Sequence, residues 1–249
     1  MTAYYYEIDH YVAQWLRNLI AAGAIASGDV DERSIVDVRA DDLGGYTQCH
    51  FFAGIGGWSR ALRLAGWSDD CSVWTGSCPC QPLSSLGLRK GHADQRHLWP
   101  AFHALISECR PSIVFGEQVA SADGREWLAG IRADLEAFGY ACGAADLCAA
   151  GIGAPHIRNR LFWVADAAGS RPIRSLPKAG VSNEKGCAEN DIRPFAEARR
   201  LLETDCADLL PGDGLSRAME SRAIKGFGNA IVPQIAAEFI AAYRECQPW

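Results

Sequence analysis

With 249 residues and 27.0 kDa, the chain holds one substantial α/β domain and a small appendage. Hydrophobic residues make up 49% and charged residues 22%, the balance of a globular protein rather than a disordered or fibrous one. A net charge of −6 excludes a protein that coats nucleic acid by charge alone. The sign changes along the chain: up to His156 there are 11 Lys+Arg against 18 Asp+Glu, and from Ile157 to Lys225 there are 12 against 10. The latter part is where a phosphate backbone is expected to be met.

No basic-then-apolar leader opens the sequence and no long apolar run interrupts it, so a cytoplasmic protein without a membrane span is expected. Ten cysteines at irregular spacing read as reduced thiols. None stands in a Cys-x-x-Cys pair with His partners, so no metal is expected.

Tyr4-Tyr5-Tyr6-Glu7-Ile8-Asp9 predicts a strand ending in acids, and the apolar spacing over His10–Ala22 predicts a helix stopped by Gly23. Asp31–Val38 reads as a third short strand, followed by a polar connector, Arg39–Gln48. About 10 residues at roughly 3.3 Å each let that connector return past one neighbouring strand. Cys49–Phe52 is a strand that runs into Ala53-Gly54-Ile55-Gly56-Gly57 and the helix Trp58–Leu64. Glycines at such a turn let a ligand approach the backbone, and the helix start favours a negative group.

Ser72–Thr75 is a strand that delivers Gly76-Ser77-Cys78-Pro79-Cys80-Gln81. A strand presenting a cysteine in an exposed Gly/Ser/Pro loop suits a nucleophile, with Cys80 the candidate behind the rigid Pro79. By residue type alone, the Cys-x-Cys pair also suits metal ligands, a redox pair or small buried hydrophobes. Gly87–His97 has the composition of a lid. A helix over Pro100–Cys109 precedes the strand Ser112–Gly116, which delivers Glu117. A helix Trp127–Phe138 and strands Tyr140–Cys148 and Leu161–Ala165 follow. Before the last of these, Arg158 and Arg160, two apart, project to one side of an extended segment and suit a fork for phosphate or carbonyl. From Asp166 the pattern weakens, with one helix expected at Phe195–Leu202, before the closing helix Gln234–Arg244 behind Gly228-Asn229.

Phe52-Ala53-Gly54-Ile55-Gly56-Gly57, Pro79-Cys80-Gln81, Glu117-Gln118-Val119, Arg158-Asn159-Arg160 and Gly228-Asn229 with Pro233 together resemble the DNA cytosine-5 methyltransferases. The resemblance implies a doubly wound, mostly parallel α/β sheet of the Rossmann-like, S-adenosylmethionine-dependent kind. It also implies a strand order rearranged so that the second and third strands precede the glycine-rich strand. The expected division is a catalytic and cofactor domain over 1–165, a short target-recognition insert over 166–225, and a returning segment over 226–249.

Under the resemblance Phe52 packs against adenine, Ala53 is part of the same cofactor-binding block, and Gly54, Ile55, Gly56 and Gly57 line the methionine end. Glu7 and Ile8 form the ribose block, Ser34 and Ile35 the adenine block with Asp37 as an alternative contact, and Asn229 lies at the helix cap or the cofactor carboxylate. Cys80 adds to carbon 6 of cytosine, Glu117 holds N3 and the amine, Arg160 binds O2, and Arg158 orients the lid or a phosphate. The expected substrate is double-stranded DNA with the cytosine flipped out, and the expected state is a monomer. Gln118 and His156 depart from the family's Asn and Gln, and Ser34 from its acid. A DNA-binding homologue with impaired catalysis and another pyrimidine carbon-5 chemistry are the competing readings.

Overall fold

The structure is a computed structural model that describes residues 2–79, 98–154, 157–167 and 230–246. Among the described residues, seven strands form a single sheet: β1 (Thr2–Tyr6), β2 (Gly28–Asp31), β3 (Tyr46–Phe51), β4 (Val73–Gly76), β5 (Ile113–Val119), β6 (Ala141–Cys148) and β7 (Asn159–Asp166). Their order is β2-β1-β3-β4-β5-β7-β6, and β7 alone runs against the others. The described helices are α1 (His10–Ala21), α2 (Ala40–Leu43), α3 (Gly57–Leu64), α4 (Trp99–Cys109), α5 (Ala122–Ala137) and α6 (Pro233–Glu245). The expected doubly wound, mostly parallel α/β fold is present.

The N-terminal strands sit where the glycine strand needs neighbours. Tyr4, Tyr5 and Tyr6 pair with Cys49, His50 and Phe51 of β3, and β2 pairs with the outer side of β1. The third strand differs from expectation. It is Gly28–Asp31, and the stretch to Val38 is a loop with a 3-10 turn at Ile35–Asp37. Asp31 itself ends the strand, because its carboxylate accepts from the Arg33 amide at 2.9 Å and guanidinium at 2.7 Å, folding the chain back locally. The return to β3 therefore has residues 32–45 to use, and α2 fits within it.

Alternation along the strands separates two apolar faces. Tyr5, Thr75, Phe115, Phe162 and Val164 face α1, α3 and α6. Tyr4, Phe51, Trp74, Val114 and Trp163 face α4 and α5. The first face carries a buried polar chain. His50 stacks on Tyr5 at 4.9 Å, its Nδ1 lies 2.9 Å from Thr75 Oγ1 and its Nε2 3.3 Å from Gln48 Oε1. Burial holds the His50 imidazole down to about 3, so it packs as a neutral ring.

The placement of α1 and α3 on the same face has a topological consequence. The unit β1-α1-β2 steps toward one edge of the sheet, whereas β3-α3-β4 steps toward the other, so the two crossovers have opposite hands. The unit β4-α4-β5 steps the same way as β3-α3-β4 with its helix on the opposite face, which gives it the hand of β1-α1-β2. Parallel crossovers are right-handed in about 98% of cases. The odd member, β3-α3-β4, is thus the left-handed one. A chain that visits the two outer strands before the glycine strand has no other way to enter β4 through α3.

Candidate active site

The chain leaves β1 and β3 in opposite directions, so their C-terminal ends flank a switch point, the crevice where open α/β sheets take ligands. Glu7 and Ile8 follow β1 directly, and Phe52 to Gly57 follow β3. Phe52 adopts a left-handed backbone (φ 52°), which costs a side-chain-bearing residue roughly 1–2 kcal/mol. That conformation turns its half-buried ring edge-on to Tyr6 (5.4 Å, 89°) and Phe102 (6.0 Å, 89°).

Gly54 (φ 54°) and Gly56 (φ 75°) carry the turn through the left-handed region, where glycine is at no disadvantage. Gly57 is needed for a different reason: a Cβ there would lie 2.6 Å from Ile231 Cγ1. The segment entering α6 packs directly beneath the turn. Ile55 is half-buried and Ala53, whose N–H donates to Tyr6 O at 2.9 Å, is buried.

The Glu7 carboxylate is engaged by backbone. One oxygen accepts from the Gly54 amide at 2.9 Å and the other from the Asp9 amide at 3.0 Å. The expected ribose acid thus also ties the end of β1 to the glycine turn. Ile8 is 55% exposed on the rim. Ser34 is half-buried before the 3-10 turn, Ile35 is buried and Asp37 exposed. These residues join the crevice through Tyr6, whose hydroxyl accepts from the Ile35 amide at 3.1 Å. The sequence reading passed over Tyr6. Its signal was there, in the alternation that sets Tyr4 and Tyr6 on one face.

A second group lies at the upper end of β5 and the start of β7. Glu117 falls inside β5 rather than after it, because the antiparallel partner β7 extends the ladder to Val119. The register sets Glu117 opposite Phe162 and Arg160 opposite Val119, so the two charged residues are diagonal neighbours on the same face. Arg160 Nε lies 2.6 Å from Glu117 Oε1. Burial pushes the Glu117 carboxyl above its ordinary value, with Arg160 and Arg158 pulling the other way.

Burial, and then the charge of Arg160, lower the pKa of Arg158. Its Nη2 donates to Ala230 O at 2.8 Å, next to position 229. A cavity of about 590 Å³ opens here, lined by Ile55, Arg158, Arg160 and Ile231 among others.

β4 ends at Gly76, and the chain continues through Ser77 and the buried Cys78. Ser77 Oγ accepts from Trp58 Nε1 at 3.0 Å, and Cys78 O accepts from Gln118 Nε2 at 3.4 Å. Gln118, the neighbour of Glu117, therefore ties the root of the cysteine loop to β5, a role its side-chain type alone did not reveal. Cys80, the lid through His97, His156, the Phe195–Leu202 helix, most of the 166–225 insert and Asn229 lie outside the described residues.

Among the described residues, no group of three His, Cys, Asp or Glu is placed to hold a metal ion. Also among them, no helix is long and apolar enough to cross a membrane.

The chain is 38% identical over 150 residues to the type II methyltransferase M.AplI of Arthrospira platensis, covering 46% of this chain and 44% of that one. It is 31% identical over 122 residues to the type II methyltransferase M.AgeI of Thalassovita gelatinovora, covering 48% and 28%. It thus spans less than half the length of either relative. The solved structure of Spodoptera frugiperda DNMT2 overlays 70% of this chain and 45% of its own, with a TM-score of 0.47 and 13% identity. The C-5 cytosine-specific DNA methylase family matches residues 66–208, more than half of the chain and the part that carries the cysteine loop, Glu117 and both arginines, and the protein belongs to that family.

Proposed function

We propose that the protein transfers a methyl group from S-adenosylmethionine to carbon 5 of cytosine in double-stranded DNA. The observation that carries this reading is the Glu117–Arg160 pair, a buried carboxyl and a guanidinium held 2.6 Å apart beside the root of the cysteine loop. Burial shifts this carboxyl toward its protonated form, the form that donates to N3 of a pyrimidine, and a guanidinium alongside it suits the O2 carbonyl.

The crevice between β1 and β3 fits an adenosyl cofactor. Among the described residues, none comes within 4 Å of where a Cβ of Gly54 would stand, which leaves space in front of the turn. Phe52 offers an aromatic ring, Glu7 with Ile8 the ribose side, and Ser34 with Ile35 the adenine edge. Gly54, Ile55, Gly56 and Gly57 line the methionine end, with Asn229 near its carboxylate. In this assignment β1 and β2 act as the family's second and third strands. When bound, S-adenosylmethionine supplies an electrophilic methyl group.

The chain's own residues prepare the acceptor. Carbon 5 of cytosine is a weak nucleophile in an aromatic ring. The Cys80 thiolate adds to carbon 6, forming a C–S bond and pushing the ring electrons toward carbon 5 while Glu117 donates to N3. Arg160 holds O2, and Arg158, anchored on Ala230 O, steadies the approach to the site. After carbon 5 is methylated, loss of its proton expels Cys80 and restores the ring. Carbon 6 is buried in a duplex, so the base is flipped out of the stack to be reached. The short insert over 166–225 suits short or relaxed sequence recognition, or recognition helped by another chain.

The test is incubation with S-adenosylmethionine and duplex DNA containing 5-fluorocytosine, which blocks loss of the carbon-5 substituent. The expected result is a covalent adduct that Cys80→Ser abolishes and Cys78→Ser retains. DNA binding without any adduct overturns the reading in favour of an impaired binding homologue. Adduct formation only on the matching RNA reassigns the substrate.

A further inference from the structure

We infer that Tyr6 is a positioning residue for the adenine end of the cofactor site, an inference that rests on the function proposed above. Tyr6 is 1% exposed and touches both elements assigned to the adenine. Its ring meets Phe52 edge-on at 5.4 Å, and its hydroxyl accepts from the amide of Ile35 at 3.1 Å.

That amide opens the 3-10 turn, and it is a donor the turn does not satisfy itself. The turn's own bonds run from Asp37 N to Ser34 O (2.9 Å) and from Val38 N to Ile35 O (3.3 Å), and Ser34 makes no side-chain cap. Helical starts leave such N–H groups to outside partners, and a buried one is costly to leave bare. The hydroxyl of Tyr6 is therefore the polar contact that fixes the backbone of Ser34 and Ile35 relative to Phe52, beside the burial of the Ile35 side chain. The ion pairs of Arg33 with Asp31 and Asp42 hold the exposed side of the same loop, and the inner side is held by the buried side chains of Ile35 and Val38 together with the Tyr6 hydroxyl.

Tyr6→Phe removes the oxygen and keeps the ring, leaving the contact with Phe52. The measurement is calorimetric titration of both proteins with S-adenosylhomocysteine and with S-inosylhomocysteine, in which a carbonyl replaces the adenine amine. Wild-type protein is expected to prefer the adenine form. Tyr6→Phe is expected to bind S-adenosylhomocysteine about tenfold more weakly, the size of one lost hydrogen bond, and to lose most of that preference. The KM for S-adenosylmethionine should rise while kcat at saturation stays within twofold, and hydrogen exchange at the Ile35 amide should accelerate.

Equal affinity and equal preference in the two proteins overturn the inference and leave the proposed function standing. Equal weakening toward both ligands, with a lowered melting temperature, also overturns it, since that is a merely structural role. Wild-type protein that binds neither ligand overturns the proposed function, and the inference with it.

Discussion

Glu117 and Arg160 meet diagonally across an antiparallel pair, Nε to Oε1 at 2.6 Å, in a sheet that is otherwise parallel. The reversal of β7 is what makes this possible. It brings the beginning of one strand beside the end of another, so that residues 43 positions apart share one small area of the same face.

The first prediction concerns pH. Burial raises the Glu117 carboxyl above its ordinary 4.5, so the native state holds a proton that the unfolded chain has released. Stability from this group is complete below 4.5 and is lost as pH rises through the folded value. Glu117→Gln should remove that loss, so its stability measured by urea unfolding should fall less than wild type between pH 4.5 and 7. It should also abolish trapping of 5-fluorocytosine DNA. A wild-type profile as flat as the variant's over this range would refute the raised value.

His50 predicts the opposite slope. Its imidazole, shifted by burial from 6.5 down to about 3, stays neutral in the native state while the unfolded chain takes up a proton. Its contribution is complete above 6.5 and is lost as pH falls toward 3. His50→Gln should flatten that acid limb in thermal melts at pH 4 to 7, at the cost of a lower melting temperature from the disturbed contacts with Thr75 and Tyr5. An unchanged acid limb would mean that His50 does not bring it about.

Gly57→Ala should destabilise the protein by about 1–3 kcal/mol in denaturant unfolding, because its methyl group would stand 2.6 Å from Ile231 Cγ1. Ile231→Ala in the same chain should recover part of that loss by making room. Additive losses in the double variant would show that the two positions do not press on each other.

The left-handed crossover predicts that the segment order can be exchanged. Thr2 pairs with Tyr46, Ala3 with Gln48, and the Gln48 side-chain Nε2 donates to Ser68 O at 3.1 Å, so the three chain junctions lie at the same end of β3. Residues 2–45 moved between Trp67 and Ser68, through short Gly/Ser linkers, would let α3 lead into β1 with the common hand. The transposed chain should give the same far-UV circular dichroism spectrum and refold faster in stopped-flow measurements. A transposed chain that refolds more slowly or fails to fold would show that the present order is needed.

Local chemistry was enough to find many of the parts. Aromatic and β-branched runs marked the strands, glycines marked the turn after β3, and Pro79-Cys80-Gln81, Glu117 and Arg158-Asn159-Arg160 marked the candidate chemistry. Each of these signals is carried by residues within a few positions of one another. The segment to Val38 was misread because its alternation is that of a strand, while the side chain of Asp31 competes for the backbone and bends it.

The sequence by itself determined the strand and helix types, the family-like blocks and the identity of the groups that carry charge. The tertiary structure alone decided that Tyr6 reaches Ile35, that Glu7 holds Gly54, that Gln118 braces the cysteine loop and that Glu117 meets Arg160 diagonally across the strand pair. These contacts join residues 29 to 47 positions apart. They exist because strand register, crossover hand and the face each side chain takes are settled only when the whole sheet closes around its two cores.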